Sequence, residues 1–228
     1  LAGSLSGSES VPKTKAKLVN MTAEALSAKH ARAIDRHALD TLFREAHTAQ
    51  GFLREPVPRE MLRRILEVAT LGPTGSNSQP MRVVFVESKE GKKRLRPALS
   101  DGNVGKTMEA PVTAIIAADT KWYENIPRVF PMGTYDPANF ESPERREIVR
   151  QAALTNATLG GAYLMIVARG FGLDVGPMGG FDRAAVDAEF FPDGRFVSIW
   201  LCNLGYGDDA KVRARNPRLG FDEVAQFA

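Results

Sequence analysis

The chain has 228 residues, 43% hydrophobic and 25% charged, with a formal net charge of +3, three histidines and a single cysteine. This is ordinary globular usage, and the length suffices for one sizeable core; disordered, collagen-like and disulfide-rich chains are excluded. Cys202 alone makes no internal bridge, and so few His and Cys argue against a zinc site.

Residues 1–29 read as a tail outside the fold, disordered or extraneous, with Met21 a candidate initiator. Lys13, Lys15 and Lys17 against Glu9 supply most of the net charge and leave +1 for the remainder. That near-neutral body argues against a nucleic-acid partner. The lysines follow the short apolar elements instead of preceding them, so no signal peptide is read and a cytoplasmic location is expected. The most apolar run, Ala152 to Phe171, is interrupted by Asn156, Gly160, Gly161 and Arg169. It reads as a buried helix and not as a membrane span.

The folded domain is expected over residues 30–228. Ala33, Leu39, Leu42 and Phe43 recur at helical spacing and predict a helix over 30–48. A second helix opens near Pro56 and Pro58, with Met61, Leu62, Ile65, Leu66 and Val68 as its apolar stripe. It stops at Leu71-Gly72-Pro73. A polar loop over 73–80 precedes a strand at 82–87, and a basic helix follows over 89–99. Asp101-Gly102-Asn103 reads as a turn before a short helix to Glu109. The uninterrupted apolar run 112–118 predicts a buried strand. Residues 121–142 carry Trp122, Tyr123, Phe130, Tyr135 and Phe140 among prolines and glycines; so long a connection suits a lid. A helix over 143–170 follows, then a glycine-rich turn over 172–180, a helix at 183–190, a strand at 195–204 and a polar tail. Few, non-consecutive strands among helices give an α+β class. No dinucleotide fingerprint, P-loop or nucleophile elbow is present.

No catalytic triad or carboxylate pair stands out; His30, His37 and His47 all fall before residue 50. The chemistry resides in hydrogen-bonding loops instead. Pro73-Thr74-Gly75-Ser76-Asn77-Ser78-Gln79-Pro80 reads as a nest of amide and hydroxyl donors for an oxygen-rich cofactor, or equally as a solvated connection. Gly176-Pro177-Met178-Gly179-Gly180 would let backbone approach a flat ligand, or simply stop a helix.

Together with Phe52-x-x-Glu55-Pro56-Val57, the 73–80 loop resembles the N-terminal signature of the nitroreductase family. Asn103-x-x-Lys106, Gly172 to Asp182, and Pro217-Arg218-Leu219-Gly220-Phe221-Asp222-Glu223-Val224 are similar to later family elements, in family order. Arg94 to Ser100, Ala110 to Ile115, and Gly205-Tyr206-Gly207-Asp208 look like the malonic semialdehyde reductase branch. The resemblance implies a central, mostly antiparallel sheet flanked by helices in an entwined homodimer with FMN at the interface. It implies FMN phosphate contacts at His47, Thr48 and Gln50; since a phosphate dianion needs positive partners, Arg218, where the family places a basic residue, is the expected cation, with Arg215 as its companion. It places Asn103 and Lys106 at the flavin pyrimidine, where a cation stabilises the reduced ring. It sets Pro177, Met178, Gly179 and Gly180 beside N5, with the Gly179 amide as donor. Pro73, Thr74, Ser76 and Asn77 would reach FMN from the partner subunit.

The implied reaction is ping-pong: NADPH or NADH reduces the flavin, leaves, and a small electrophile takes the hydride from N5. The branch points to 3-oxopropanoate, giving 3-hydroxypropanoate. Nitroaromatics, quinones or a halogenated ring are alternative acceptors, and a redox sensor without turnover is an alternative class. Tyr123 and His47 are candidate proton donors beside water, and Lys121 and Arg128 are candidate carboxylate partners. No metal is required.

Overall fold

A computed structural model describes residues 33–228 apart from Pro137. The described residues fall into two units, the first ending at Glu45 and the second spanning Ala46–Ala228. The first contains α1 (Arg36–Leu39), which runs into a π turn at Asp40–Arg44. Asp35 caps α1, its Oδ1 accepting the Ala38 N–H at 2.7 Å. Residues 30–32 of the expected first helix lie outside the described residues, and the helix ends at Arg44 instead of Thr48.

The second unit runs α2 (Arg59–Ala69), β1 (Met81–Val86), α3 (Lys89–Leu95), α4 (Asp101–Glu109), β2 (Val112–Asp119), α5 (Ile126–Val129), α6 (Ala138–Glu141), α7 (Arg146–Gly170), β3 (Asp174–Met178), α8 (Arg183–Phe190), β4 (Phe196–Gly205) and α9 (Phe221–Val224). The sheet order is β1-β2-β4-β3, every neighbour antiparallel. The α+β class with a central antiparallel sheet is therefore correct.

All eight residues of β2 are buried, which is why that strand reads as an unbroken apolar run. Its alternate side chains feed two cores. Val112, Ala114 and Ile116 pack with Leu62 and Ile65 of α2 and Leu164 of α7. Ile115 and Ala117 pack with Leu95, Val186, Met178 and Leu201 on the other face. The sheet thus lies between helical layers, each covering one set of side chains. Gly161 lets α7 lie close: a Cβ there would stand 2.4 Å from the Trp200 ring. The Gly160-Gly161 pair that breaks the apolar run is therefore a packing device. Among the described residues no helix is long and apolar enough to cross a membrane.

Three expectations need correcting. The glycine-rich turn over 172–180 contains β3, an edge strand in register with β4 from Asp174↔Gly205 to Met178↔Leu201. Pro177 offers no N–H, which an edge strand tolerates. Asp101 already lies in α4 and is not part of a preceding turn; Ser100 takes the N-cap position. Val68, counted in the α2 stripe, is exposed, and Ala69 is buried in its place.

Candidate functional site

Three segments converge at the β3 edge. First, Thr48 bridges Val175 in parallel, and the Ala49 N–H donates to the Val175 carbonyl at 2.9 Å. This pairing extends residues 46–49 along β3 and explains why helix does not persist to Thr48. The half-buried His47 and Gln50 and the exposed Thr48 are thereby set beside the strand. Second, Arg215 Nη2 donates to the Ala46 carbonyl at 2.6 Å and brings a guanidinium to the same segment. Third, α4 grips the end of β3. Asn103 Nδ2 donates to the Gly180 carbonyl at 2.8 Å, and one turn along, Thr107 Oγ1 lies 3.5 Å from Met178 Sδ.

Between these anchors Gly179 is bare. A Cβ added there would meet nothing within 4 Å, and its N–H has no acceptor among the described residues. Gly180, by contrast, has no room: a Cβ would stand 2.7 Å from Asn103 Nδ2. Lys106 lies on α4 between Asn103 and Thr107; burial, and then the Arg213 charge, hold its ammonium below the ordinary lysine value.

Two cations here were not singled out from sequence as site residues. Arg169, at the end of α7, is half-buried; burial chiefly lowers its guanidinium pKa, and Arg215 lowers it further. Arg213 acts on Lys106. The pair Arg213 and Arg215, after the turn that ends at Lys211, is the signal that could have found the second, since alternate residues of an extended chain share a side. Arg218 behaves differently from Arg215: its Nη1 donates to the carbonyls of Asn216 and Pro217 in its own tail, at 2.9 and 3.2 Å.

The 73–80 loop sits elsewhere, before β1 at the opposite edge of the sheet. Three strand spacings separate the two edges, about 14 Å. Ser76, Asn77 and Gln79 all adopt left-handed φ, at 51°, 50° and 44°. Such backbone in non-glycine residues is costly and persists only where neighbours impose it. Here Asn156 Oδ1 accepts the Gly75 N–H at 2.7 Å, Asn77 Nδ2 donates to the Val129 carbonyl at 2.7 Å, and Thr74 Oγ1 accepts the Gln79 N–H at 3.1 Å. Pro73 and Ser76 are exposed. Ser78 Oγ is buried with no hydrogen-bond partner among the described residues.

The Asn77–Val129 bond ties this loop to the aromatic segment 121–142, which is partly helical (α5 and α6) and not a plain loop. Tyr123 is buried there, stacked on Phe140 with centroids 5.3 Å apart and planes at 10°. Burial, then Glu141 and Glu124, push its phenol pKa up, which makes it a poorer proton donor. Asp119 anchors the segment's start, accepting from Arg82 at 2.6 Å and Arg195 at 3.0 Å, with Arg195 also paired to Glu124 at 2.9 Å. One chain therefore brings together His47, Thr48, Gln50, Asn103, Lys106, Pro177 to Gly180 and Arg215, and separately Pro73 to Asn77 with Tyr123. A hollow of about 960 Å³ between Phe52, Val57, Met108, Pro111 and Lys211 lies beside the C-terminal end of α4, and none of the predicted cofactor residues lines it. No group of His, Cys, Asp or Glu among the described residues is arranged to hold a metal.

The model of the nitroreductase family matches residues 43–206. A Stenotrophomonas maltophilia protein, whose name proposes an NADH dehydrogenase/NAD(P)H nitroreductase, is 50% identical over 196 residues, covering 86% of this chain and 98% of its own. An Exiguobacterium sibiricum crystal structure, titled as a nitroreductase in complex with FMN, superposes with a TM-score of 0.73 at 21% identity, covering 86% of this chain and 98% of that one. A Staphylococcus epidermidis structure, titled as an NAD(P)H:FMN oxidoreductase, gives 0.72 at 22% identity, covering 83% and 95%. The family model and the relatives agree: the chain belongs to the nitroreductase family.

Proposed function

We propose that the protein is an FMN-dependent NAD(P)H oxidoreductase whose cofactor lies between two copies of the chain. The observation that carries the reading is the bare Gly179 amide, held between two α4 anchors with Lys106 on the same helix. It offers a donor and an open face to a flat ring. The residues present fit the rest of FMN: hydroxyl and imidazole groups at His47 and Thr48, with Arg215 fixed beside them, suit a phosphate dianion. Bound FMN supplies two-electron hydride chemistry through N5. The chain's part is to bind and orient. Lys106 and Asn103 would face the pyrimidine and the Gly179 N–H would meet the ring, while the 121–142 segment, which lies with the 73–80 loop, would exclude water from the second copy.

The two sheet edges support a second copy. The left-handed 73–80 loop is built to present Pro73, Thr74, Ser76 and Asn77, yet the Gly179 half-site lies across the sheet. The stripe Ile148, Leu159 and Tyr163 along α7 leaves 64%, 45% and 38% of those side chains exposed, a surface suited to a twin helix.

For the acceptor, the resemblance to the malonic semialdehyde reductase branch favours 3-oxopropanoate. Lys121, Arg146 and Arg150 outnumber Glu141 in the lining of one hollow with Tyr123 and Phe140 and would draw a small carboxylate; this favours Lys121 over Arg128, whose Nη2 contacts Asn125 Oδ1 at 3.2 Å. A nitroaromatic or quinone acceptor is the second reading, supported by the names of the relatives and by the aromatic roof. Anaerobic stopped-flow with NADPH and NADH tests the whole. Flavin bleaching on mixing and reoxidation by 3-oxopropanoate is expected; bound flavin that never bleaches would leave only a sensor.

A further inference from the structure

Among the described residues the fold buries two charged side chains, Asp119 and Lys92. Asp119 is ringed by guanidinium groups. Lys92, on α3 and 5% exposed, has no carboxylate within ion-pair distance among the described residues. Its Nζ donates instead to the Thr107 carbonyl at 2.8 Å and the Thr113 hydroxyl at 2.5 Å. Thr113 Oγ1 donates to Asn203 Oδ1 at 2.7 Å, and Asn203 Nδ2 donates to Thr107 Oγ1 at 3.3 Å. A ring of four residues results, closed through the main chain of Thr107, with Thr107, Thr113 and Asn203 each 0% exposed.

The ring has a direction. The Thr107 carbonyl only accepts, so Lys92 donates there. Thr113 accepts from Lys92 and spends its one proton on Asn203 Oδ1. That fixes the Asn203 amide with its nitrogen toward Thr107, whose own proton is left for Met178 Sδ. Burial lowers the Lys92 pKa to about 7, and a neutral amine carries two N–H groups, the number used here. A buried amine without a counter-ion is costly to keep, and a Met or Leu would fill the volume at less cost. The ring ends on the residue before Gly179, while Asn103 holds the residue after it.

We infer that Lys92 is a positioning residue: through Thr107 and Asn203 it fixes Met178 to Gly180 against α4, and so aims the Gly179 N–H at the cofactor. This rests on the flavin reading above. It adds a residue from α3 that touches neither cofactor nor substrate.

Lys92→Met and Thr107→Val test it, with two readouts. In flavin-free protein, hydrogen–deuterium exchange should quicken in the peptide spanning 176–182 and stay unchanged in α7. In loaded protein, each variant should slow the limiting rate of flavin bleaching by about tenfold, since small misplacements cost that much or more. The NADPH concentration giving half that rate should stay within about twofold, because the lost contact does not bind nicotinamide. The double variant should be no slower than the worse single one, because both act through one ring. A packing role alone would lower the melting temperature and leave bleaching per bound flavin unchanged. If Lys92→Met fails to fold, Thr107→Val, which keeps the lysine and the volume, decides alone. Unchanged exchange or unchanged bleaching in the decisive variant overturns the inference. A wild-type chain that takes up no flavin overturns the flavin reading first, and the inference with it.

Discussion

Asn103 and Gly180 fit each other so closely that neither has slack. The Asn103 amide donates to the Gly180 carbonyl at 2.8 Å, and a methyl group on Gly180 would stand 2.7 Å from that same nitrogen. Gly180→Ala should therefore break the grip of α4 on β3. Overpacking of this kind costs about 1–3 kcal/mol. Chemical denaturation should show that loss together with weaker flavin retention. Gly179→Ala, one residue away in open space, should cost little in stability and still impair flavin binding, because its Cβ would occupy the face offered to the ring.

The resemblance puts Arg218 first as the phosphate cation, with Arg215 as its companion, and the structure favours the reverse order. Arg215 reaches Ala46, beside His47 and Thr48, whereas Arg218 bends back onto its own tail. Arg215→Ala should lower FMN affinity by about tenfold or more, the size of a charge-assisted contact. Arg218→Ala should have the smaller effect. Flavin stoichiometry after gel filtration, followed by fluorescence titration, would rank them; a larger loss for Arg218 would count against the phosphate site placed at 46–50.

Left-handed backbone at Ser76 is costly for any residue with a Cβ. Ser76→Gly should relieve that strain and raise stability by up to about 1 kcal/mol, offset in part by the freedom glycine gains on unfolding. The loop would then hold its shape less firmly, and flavin affinity should fall. A rise in melting temperature with undiminished affinity would show that the loop geometry serves folding alone.

Stability should depend on pH through Lys92. Its pKa falls from the ordinary 10.5 to about 7 on folding. Below that window both states hold the proton; within it the unfolded chain holds more, so stability rises with pH. Cys202 acts oppositely, since burial pushes its thiol from 9.0 up to about 12 and folding then loses ground above the lower value. The rise attributable to Lys92 should therefore be clearest between about pH 7 and 9. Urea denaturation across that range should show it, and Lys92→Met should flatten it. An equal slope in both proteins contradicts the assignment.

Much of the fold was legible because local pattern and tertiary role agree. β2 is almost wholly apolar and buried throughout, and α2 ends at Ala69, just before the Gly72-Pro73 that predict its stop. β3 was not legible, because Asp174-Val175-Gly176-Pro177-Met178 has little strand propensity and is held by pairing with β4 and Thr48. The first helix was overextended for the same reason: residues near Thr48 are claimed by β3. Of the site, the loops were readable as donor-rich, whereas Arg169 and the Lys92 ring depend on contacts between residues far apart in sequence, 96 apart for Thr107 and Asn203. Tyr123 was readable as aromatic but not as buried in a stack.

The central claim is that one flavin site is made by two chains. Light scattering coupled to gel filtration, with absorbance recorded in the flavin band, tests it directly for the wild-type protein beside Leu159→Glu, which places a charge on the exposed α7 stripe. The wild type should run as a yellow species of twice the chain mass with one FMN per chain, and the variant as a colourless single chain. A wild-type single chain that holds a full equivalent of FMN would contradict it.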